Sequence, residues 1–242
     1  MNNSFVPKLR AYLYLAIFLP MTFLLAGSAL VASFFDGSGR AYAWFARLWA
    51  RTSLALAGVE VTLQGAELLP DGPVILMSNH QSNFDILSML ARIPLQIHWI
   101  AKKELFEIPI FGASMKRGGY IPLDRGDGRK AMKSMDEAAR MIREGRSVVM
   151  FPEGTRTPDG HLLPFKRGGF MLARKAGVPV VPVTINGSRG INPANQLLLY
   201  CGRVTIQLHP PVVLPDGVSK AEAETVLMEQ VRGSIQSTLE FA

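Results

Sequence analysis

The chain has 242 residues, 48% of them hydrophobic, and a net charge of +7. That length supports one domain of ordinary size with a full core, and its positive mean hydropathy points to contact with a membrane. A single cysteine, Cys201, excludes an internal disulfide, and no Cys/His cluster has zinc spacing.

The charge is concentrated in the middle of the chain. Between His98 and Lys175 there are sixteen Lys or Arg against nine Asp or Glu, an excess equal to that of the whole chain. A basic middle joined to an apolar start suits anionic lipid headgroups or phosphorylated small molecules. Nucleic acid is not expected as a partner, because no aromatic-interleaved basic stripe or recognition motif accompanies the charge.

In chain order, residues 11–35 are uncharged, preceded by Lys8 and Arg10 and ended by Asp36-Gly37-Ser38-Gly39. One helix of that length spans a bilayer, although Pro20 should kink or break it. Residues 40–58 form a second helical candidate, with Tyr42, Phe45, Leu48, Trp49 and Leu56 near helical spacing and Arg40, Arg47 and Arg51 interleaved, a pattern that suits a membrane interface. Together they predict a membrane-anchoring helical hairpin over residues 1–58, and basic flanks place it on the cytoplasmic side of a membrane. A helix packed on the domain surface is the other reading of 40–58.

From Val59 the pattern changes. Residues 59–64 alternate as a half-buried strand does, and strand candidates follow at 73–78, 97–101, 119–123, 147–151, 179–185 and 203–208. Helical patterns separate several of them, the clearest at 128–144 with Gly145 just past its end, and 220–240 closes the chain. Strands alternating with helices predict an α/β domain over 59–242, with a mostly parallel or mixed sheet flanked by helices.

The stretch Asn79-His80-Gln81-Ser82-Asn83-Phe84-Asp85 lies between the apolar run Val74–Met77 and the start of a helix. Open sheets present chemistry at such strand-to-helix turns. His80 and Asp85 are five apart, so they meet only if the backbone bends between them. Ser82 and Asn83 are good helix caps and supply the bend. A carboxylate accepting from one ring nitrogen fixes the tautomer and leaves the other nitrogen as a base. The same residues would also make a capping cluster around a structural histidine.

Three later stretches end strands or interrupt them: Asp124-Arg125 after Gly118–Leu123, Phe151-Pro152-Glu153-Gly154-Thr155-Arg156, and Val178-Pro179-Val180-Val181-Pro182-Val183, whose prolines make it an odd central strand. Taken singly, Glu153 and Arg156 also read as a turn with a surface ion pair.

In this order, His-x4-Asp, a strand ending in Asp-Arg, Phe-Pro-Glu-Gly-Thr-Arg and Val-Pro-Val-Val-Pro resemble the glycerolipid acyltransferase family, nearest to bacterial 1-acyl-sn-glycerol-3-phosphate acyltransferases. The likeness runs from about Val59 to Pro211 and takes in Lys102–Leu105 and Pro164–Gly169. One departure is Pro122, where an aromatic residue often stands two before the Asp-Arg pair; Tyr120 lies further upstream.

The resemblance implies acyl transfer from a thioester, acyl-CoA or acyl carrier protein, to a lysophospholipid hydroxyl, without cofactor or metal. It implies His80 as general base and Asp85 as its orienting acid. Arg125, Glu153, Gly154, Thr155 and Arg156 would hold the acceptor, the arginines its phosphate, with Lys102, Lys103 and Lys166 as further contacts to phosphate or donor. It places the protein on the cytoplasmic face of a bacterial inner membrane. A lipid thioesterase or esterase using the same pair, another lysolipid acceptor such as a lyso-ornithine lipid, and a non-catalytic lipid-binding adaptor are the competing readings. His98, His161 and His209 lack a matching carboxylate nearby and read as structural.

Overall fold

The computed structural model describes residues 5–124, 126, 128–215 and 217–240. Its strands are β1 (Val59–Gln64), β2 (Ile75–Ser78), β3 (Ile97–Lys102), β4 (Ile121–Leu123), β5 (Ser147–Met150), β6 (Val180–Asn186) and β7 (Gly202–Leu208). They form one sheet in the order β1-β7-β6-β2-β5-β3-β4. Five strands, β6 to β4 in that order, run parallel, and β7 pairs antiparallel to β6 and parallel to β1. The sheet is therefore mixed, as expected, and each of the seven strand candidates forms.

The helices are α1 (Phe5–Ala32), α2 (Arg40–Ala57), α3 (Phe84–Arg92), α4 (Phe111–Arg117), α5 (Gly128–Arg143), α6 (Gly168–Ala176), α7 (Ser188–Ile191) and α8 (Lys220–Thr238). Alternate residues of the central strands point to opposite faces. Leu76, Val149 and Val181 join Leu54, Leu87 and Val204 in one cluster, whereas Ile75, Met77, Val148 and Val180 join Met135, Ile142, Phe170 and Leu227 in the other. Helices α2 and α3 thus cover one face, and α5, α6 and α8 the other. Both faces of β2, β5 and β6 are buried, which explains their unbroken apolar runs.

Pro182 sits inside the central strand β6. Its carbonyl accepts from His209 N–H at 3.0 Å, so its missing N–H would face the same neighbour, just where β7 has ended and the chain turns into Pro210. The proline costs the ladder little there.

The expected two-helix anchor is matched in one helix and not confirmed in the second. Among the described residues only α1 is long and apolar enough to cross a membrane. It continues through Pro20 for 28 residues, about 42 Å at the usual helical rise. Leu13, Leu24, Phe34 and Phe35 are exposed along it and just past its end. Helix α2 instead packs into the domain and buries Tyr42, Ala50, Leu54 and Ala57. Two of its three cations serve the fold: Arg47 donates to the carbonyls of Leu95 (2.8 Å) and Ile93 (3.3 Å), and Arg51 to that of Ala91 (3.4 Å). These carbonyls lie at or just past the end of α3, where a helix attracts positive charge. Gly58, the boundary expected between anchor and domain, is a tight helix-to-strand junction at φ 64°, and Ala11, Leu54, Ala57, Val59 and Val61 share one core.

Candidate active site

The C-terminal ends of β2, β5 and β3 lie side by side, and the chain leaves β2 toward α3 in the middle of the sheet. Asn79 pins this exit: its amide donates to Ile185 O (2.8 Å) and accepts from Ile185 N–H (2.7 Å). The next residue, His80, turns its ring toward α3.

His80 Nδ1 lies 2.8 Å from Asp85 Oδ2, with Asp85 fully buried and the imidazole 14% exposed. The same carboxylate oxygen accepts from Gln81 N–H (2.7 Å) and Ser82 N–H (2.8 Å). The expected bend therefore forms, but by a different device. Asn83 makes no capping bond; Asp85 gathers the loop's backbone donors instead, with Ser82 Oγ accepting from Phe84 N–H at 3.3 Å. An ionised carboxylate among three donors takes the Nδ1 proton as a hydrogen bond and leaves Nε2 a lone pair. The arrangement can withdraw a proton from a hydroxyl.

The turn after β5 clamps this loop from the other side. Glu153 is buried, and both its oxygens are taken: Oε1 by His80 N–H and Oε2 by Leu163 N–H, each at 2.8 Å. Thr157 N–H donates to His80 O at 2.8 Å, and Gln81 Nε2 to Gly160 O at 3.3 Å. Burial pushes the Glu153 carboxyl above the usual glutamate range, against the pull of its two backbone donors. Glu153 was expected to hold the acceptor; here it ties two loops together and does not line the cleft. The N–H groups of residues 80–82 are all taken and do not serve as oxyanion donors.

His80 opens on a cleft of about 1390 Å³ that also touches Asn83, Phe84, Lys102, Gly154, Thr155, Arg156 and Lys166. Three cationic side chains and no carboxylate line it among the described residues. Gly154 has φ 72°, and a Cβ there would lie 2.8 Å from Lys166 Nζ, so glycine lets that lysine cross the turn. Most of the rest of the wall is apolar and aromatic, including Phe18, Trp49, Trp99, Phe111 and Tyr120, with Thr22, Ser114, Asn192, Asn195 and Gln196 among its polar members. Tyr14 of α1 sits 6.0 Å from the Phe84 ring, centroid to centroid, so the apolar helix reaches the first turn of α3.

The structure thus brings together His80, Asp85, Glu153, Gly154, Thr155, Arg156, Lys102 and Lys166. Lys103 stands apart: its ammonium pairs with Asp124 at 2.8 Å and it does not line the cleft. Arg125 lies outside the described residues. His98 and His209 are buried, bonded to Ser147 O (3.1 Å) and Thr184 Oγ1 (2.8 Å), and burial holds both below the usual histidine range. Asn79 and the Phe151 ring were missed as parts of the site. Asn79 was legible as a polar residue directly after an apolar strand; the place of the Phe151 ring had no local signal.

Residues 60–186 match the family model described as Acyltransferase. The chain is 37% identical over 209 residues to the chloroplastic 1-acyl-sn-glycerol-3-phosphate acyltransferase BAT2 of Brassica napus, covering 85% of this chain and 58% of that one. The match to the Chlamydomonas reinhardtii 1-acyl-sn-glycerol-3-phosphate acyltransferase CHLREDRAFT_174358 is 34% identical and covers 99% and 75%. The chain therefore spans less than two thirds of the Brassica protein and three quarters of the algal one. The crystal structure of the 1-acyl-sn-glycerophosphate (LPA) acyltransferase PlsC from Thermotoga maritima aligns over 97% of this chain and 95% of that one, with TM-score 0.78 and 28% identity. With the family model covering half of this chain, and the algal relative matched over 99% of this chain and 75% of its own length, the chain belongs to the acyltransferase family.

Proposed function

We propose that this chain moves a fatty acyl group from a thioester to the free hydroxyl of a 1-acyl-glycerol-3-phosphate, giving phosphatidic acid. The observation that carries the reading is the His80–Asp85 pair opening on a cleft that is apolar along most of its wall and cationic beside the imidazole. The names of the matched relatives point the same way.

A free hydroxyl is a weak nucleophile, so a base must take its proton as it attacks. His80 Nε2 accepts that proton while the oxygen bonds the thioester carbonyl carbon, and Asp85 stabilises the imidazolium that forms. The carbon–sulfur bond then breaks, and the thiolate leaves with the proton from Nε2. Neither a cofactor nor an acylated side chain is needed. Arg156, with its fixed fork of donors, grips the acceptor's phosphate, and Lys166 and Lys102 add positive charge. Glu153 acts through the loop it clamps, and Gly154 and Thr155 shape the turn that carries Arg156.

Helix α1 rests its exposed apolar face on the bilayer, and its inner face lines the cleft, so acyl chains pass from lipid to His80 without crossing water. The protein thus works at a membrane surface, and Lys8 and Arg10 near the start of α1 favour the cytoplasmic face. The donor is acyl-CoA or acyl carrier protein.

The test offers purified protein a set of lysolipid acceptors with labelled acyl-CoA and labelled acyl carrier protein, and identifies the products. Labelled phosphatidic acid is the expected result. Labelled free fatty acid with no esterified acceptor would instead make the protein a hydrolase.

A further inference from the structure

Three neighbouring strands each contribute one ring to a single stack. His80 stands two residues beyond the end of β2, Phe151 directly follows β5, and Trp99 lies in β3, paired beside Val149. The His80 and Phe151 rings are parallel within 5°, their centroids 3.8 Å apart. Behind them the rings of Phe151 and Trp99 lie 5.5 Å apart with planes tilted by 31°. Trp99 is buried at 4% exposure, so the stack is rooted in the sheet.

The bond to Asp85 fixes which nitrogen carries the proton, but a single hydrogen bond leaves the ring free to rock about its own axis. Phe151 closes one face of the imidazole and removes that freedom. It also bears on charge. When Nε2 takes a proton the ring becomes a cation lying against an aromatic face at contact distance, and a cation is attracted there more strongly than a neutral ring. An interaction that strengthens as the proton arrives lowers the barrier rather than merely tightening binding.

We infer that Phe151 is a positioning residue for His80, which holds the imidazole flat and stabilises the imidazolium formed during transfer. This rests on the reading of His80 as the base for acyl transfer. The phenylalanine precedes the residues with evident polar roles in its stretch, and its effect runs through the ring of another residue.

The experiment compares the full-length wild type with Phe151→Leu, Phe151→Met and Phe151→Tyr, each checked for folding by circular dichroism. Leu and Met keep an apolar side chain and remove the aromatic face; Tyr retains it. With lysophosphatidic acid and acyl-CoA, kcat should fall about tenfold in the Leu and Met variants, with the acceptor KM within about twofold and wild-type behaviour restored by Tyr. The acid limb of the pH–rate profile should move to lower pH in the Leu and Met variants, because the imidazolium has lost its partner and the neutral base persists further into acid. A fall in kcat with an unmoved acid limb would make Phe151 a packing residue only and overturn the inference.

A second readout needs no substrate. The proton between His80 Nδ1 and Asp85 should give a sharp downfield NMR signal in wild type and Phe151→Tyr, broadened by exchange in Phe151→Leu and Phe151→Met. An unchanged signal in those two would overturn the inference whatever reaction the protein performs. The expected broadening in a protein whose wild type transfers no acyl group would overturn the proposed function and leave the ring stack standing.

Discussion

The two sides of the cleft are built differently. On the base side most polar groups are tied: Asp85 Oδ2 accepts from the ring and two backbone N–H groups, Glu153 accepts from two more, and the carbonyl of His80 accepts from Thr157, while Asp85 Oδ1 is buried without a hydrogen bond. On the acceptor side Arg156 is half-buried, and Lys102 and Lys166 are exposed on flexible stems. The base must be set within a fraction of an ångström before substrate arrives, so folding organises it. A phosphate brings its own charge and can collect mobile cations as it binds, so that side is left to be ordered by the ligand.

The contrast is broken or sharpened by substitution, and the largest effect belongs to the base. His80→Ala should lower kcat about 1,000-fold, in the middle of the range for general bases, with the melting profile retained. Near-normal turnover would place the base elsewhere. Arg156→Ala should raise the KM for a phosphate-bearing acceptor about tenfold with little change in kcat. A phosphate-free acceptor should be indifferent to it, and an equal effect on both acceptors would move the phosphate site away from Arg156.

Glu153→Gln tests the clamp. The amide keeps one acceptor and turns its NH2 toward a backbone N–H, which should cost about 1–3 kcal/mol of stability and lower kcat with the acceptor KM unchanged. The pH dependence has a definite sign. Burial raises the folded carboxyl above its unfolded value, so the native state holds the proton more tightly. The contribution of Glu153 to stability is therefore fullest below the ordinary glutamate range and declines as pH rises through the folded value. Thermal melts across that window should show the gap between wild type and Glu153→Gln narrowing as pH rises; a widening gap would mean that the two N–H donors outweigh the burial. The smallest effect is expected of Lys103→Ala, within about twofold in every kinetic constant, because its ammonium is spent on a surface pair with Asp124.

Helices α1 and α2 show the limit of local pattern. Both carry aromatic and apolar residues with nearby cations, and both read as anchor. Helix α1 keeps its outer face bare, while α2 turns Arg47 and Arg51 onto carbonyls at the end of α3. Periodicity shows which side of a helix is apolar but not what will cover it. Removing residues 1–58 should therefore not free a soluble domain, since Ala11, Leu54 and Ala57 belong to the same core as β1.

The strands were legible because buried parallel strands must be continuously apolar. His80 and Asp85 were legible as a candidate pair because they stand five residues apart at a strand end, although the same spacing also suits a capping cluster, and the later motifs of the resemblance decided between the two. Arg156 and Lys166 came to that site only through the resemblance to the acyltransferase family, since singly Arg156 reads as part of a turn with a surface ion pair. What the sequence by itself determined is chemistry whose partners are close along the chain. The two backbone donors held by Glu153, the ring laid over the imidazole by Phe151 and the separation of Lys103 from the cleft were decided by tertiary structure alone. Each joins segments from different strands or loops, and the distance between strand ends is set by sheet order, which no local pattern encodes.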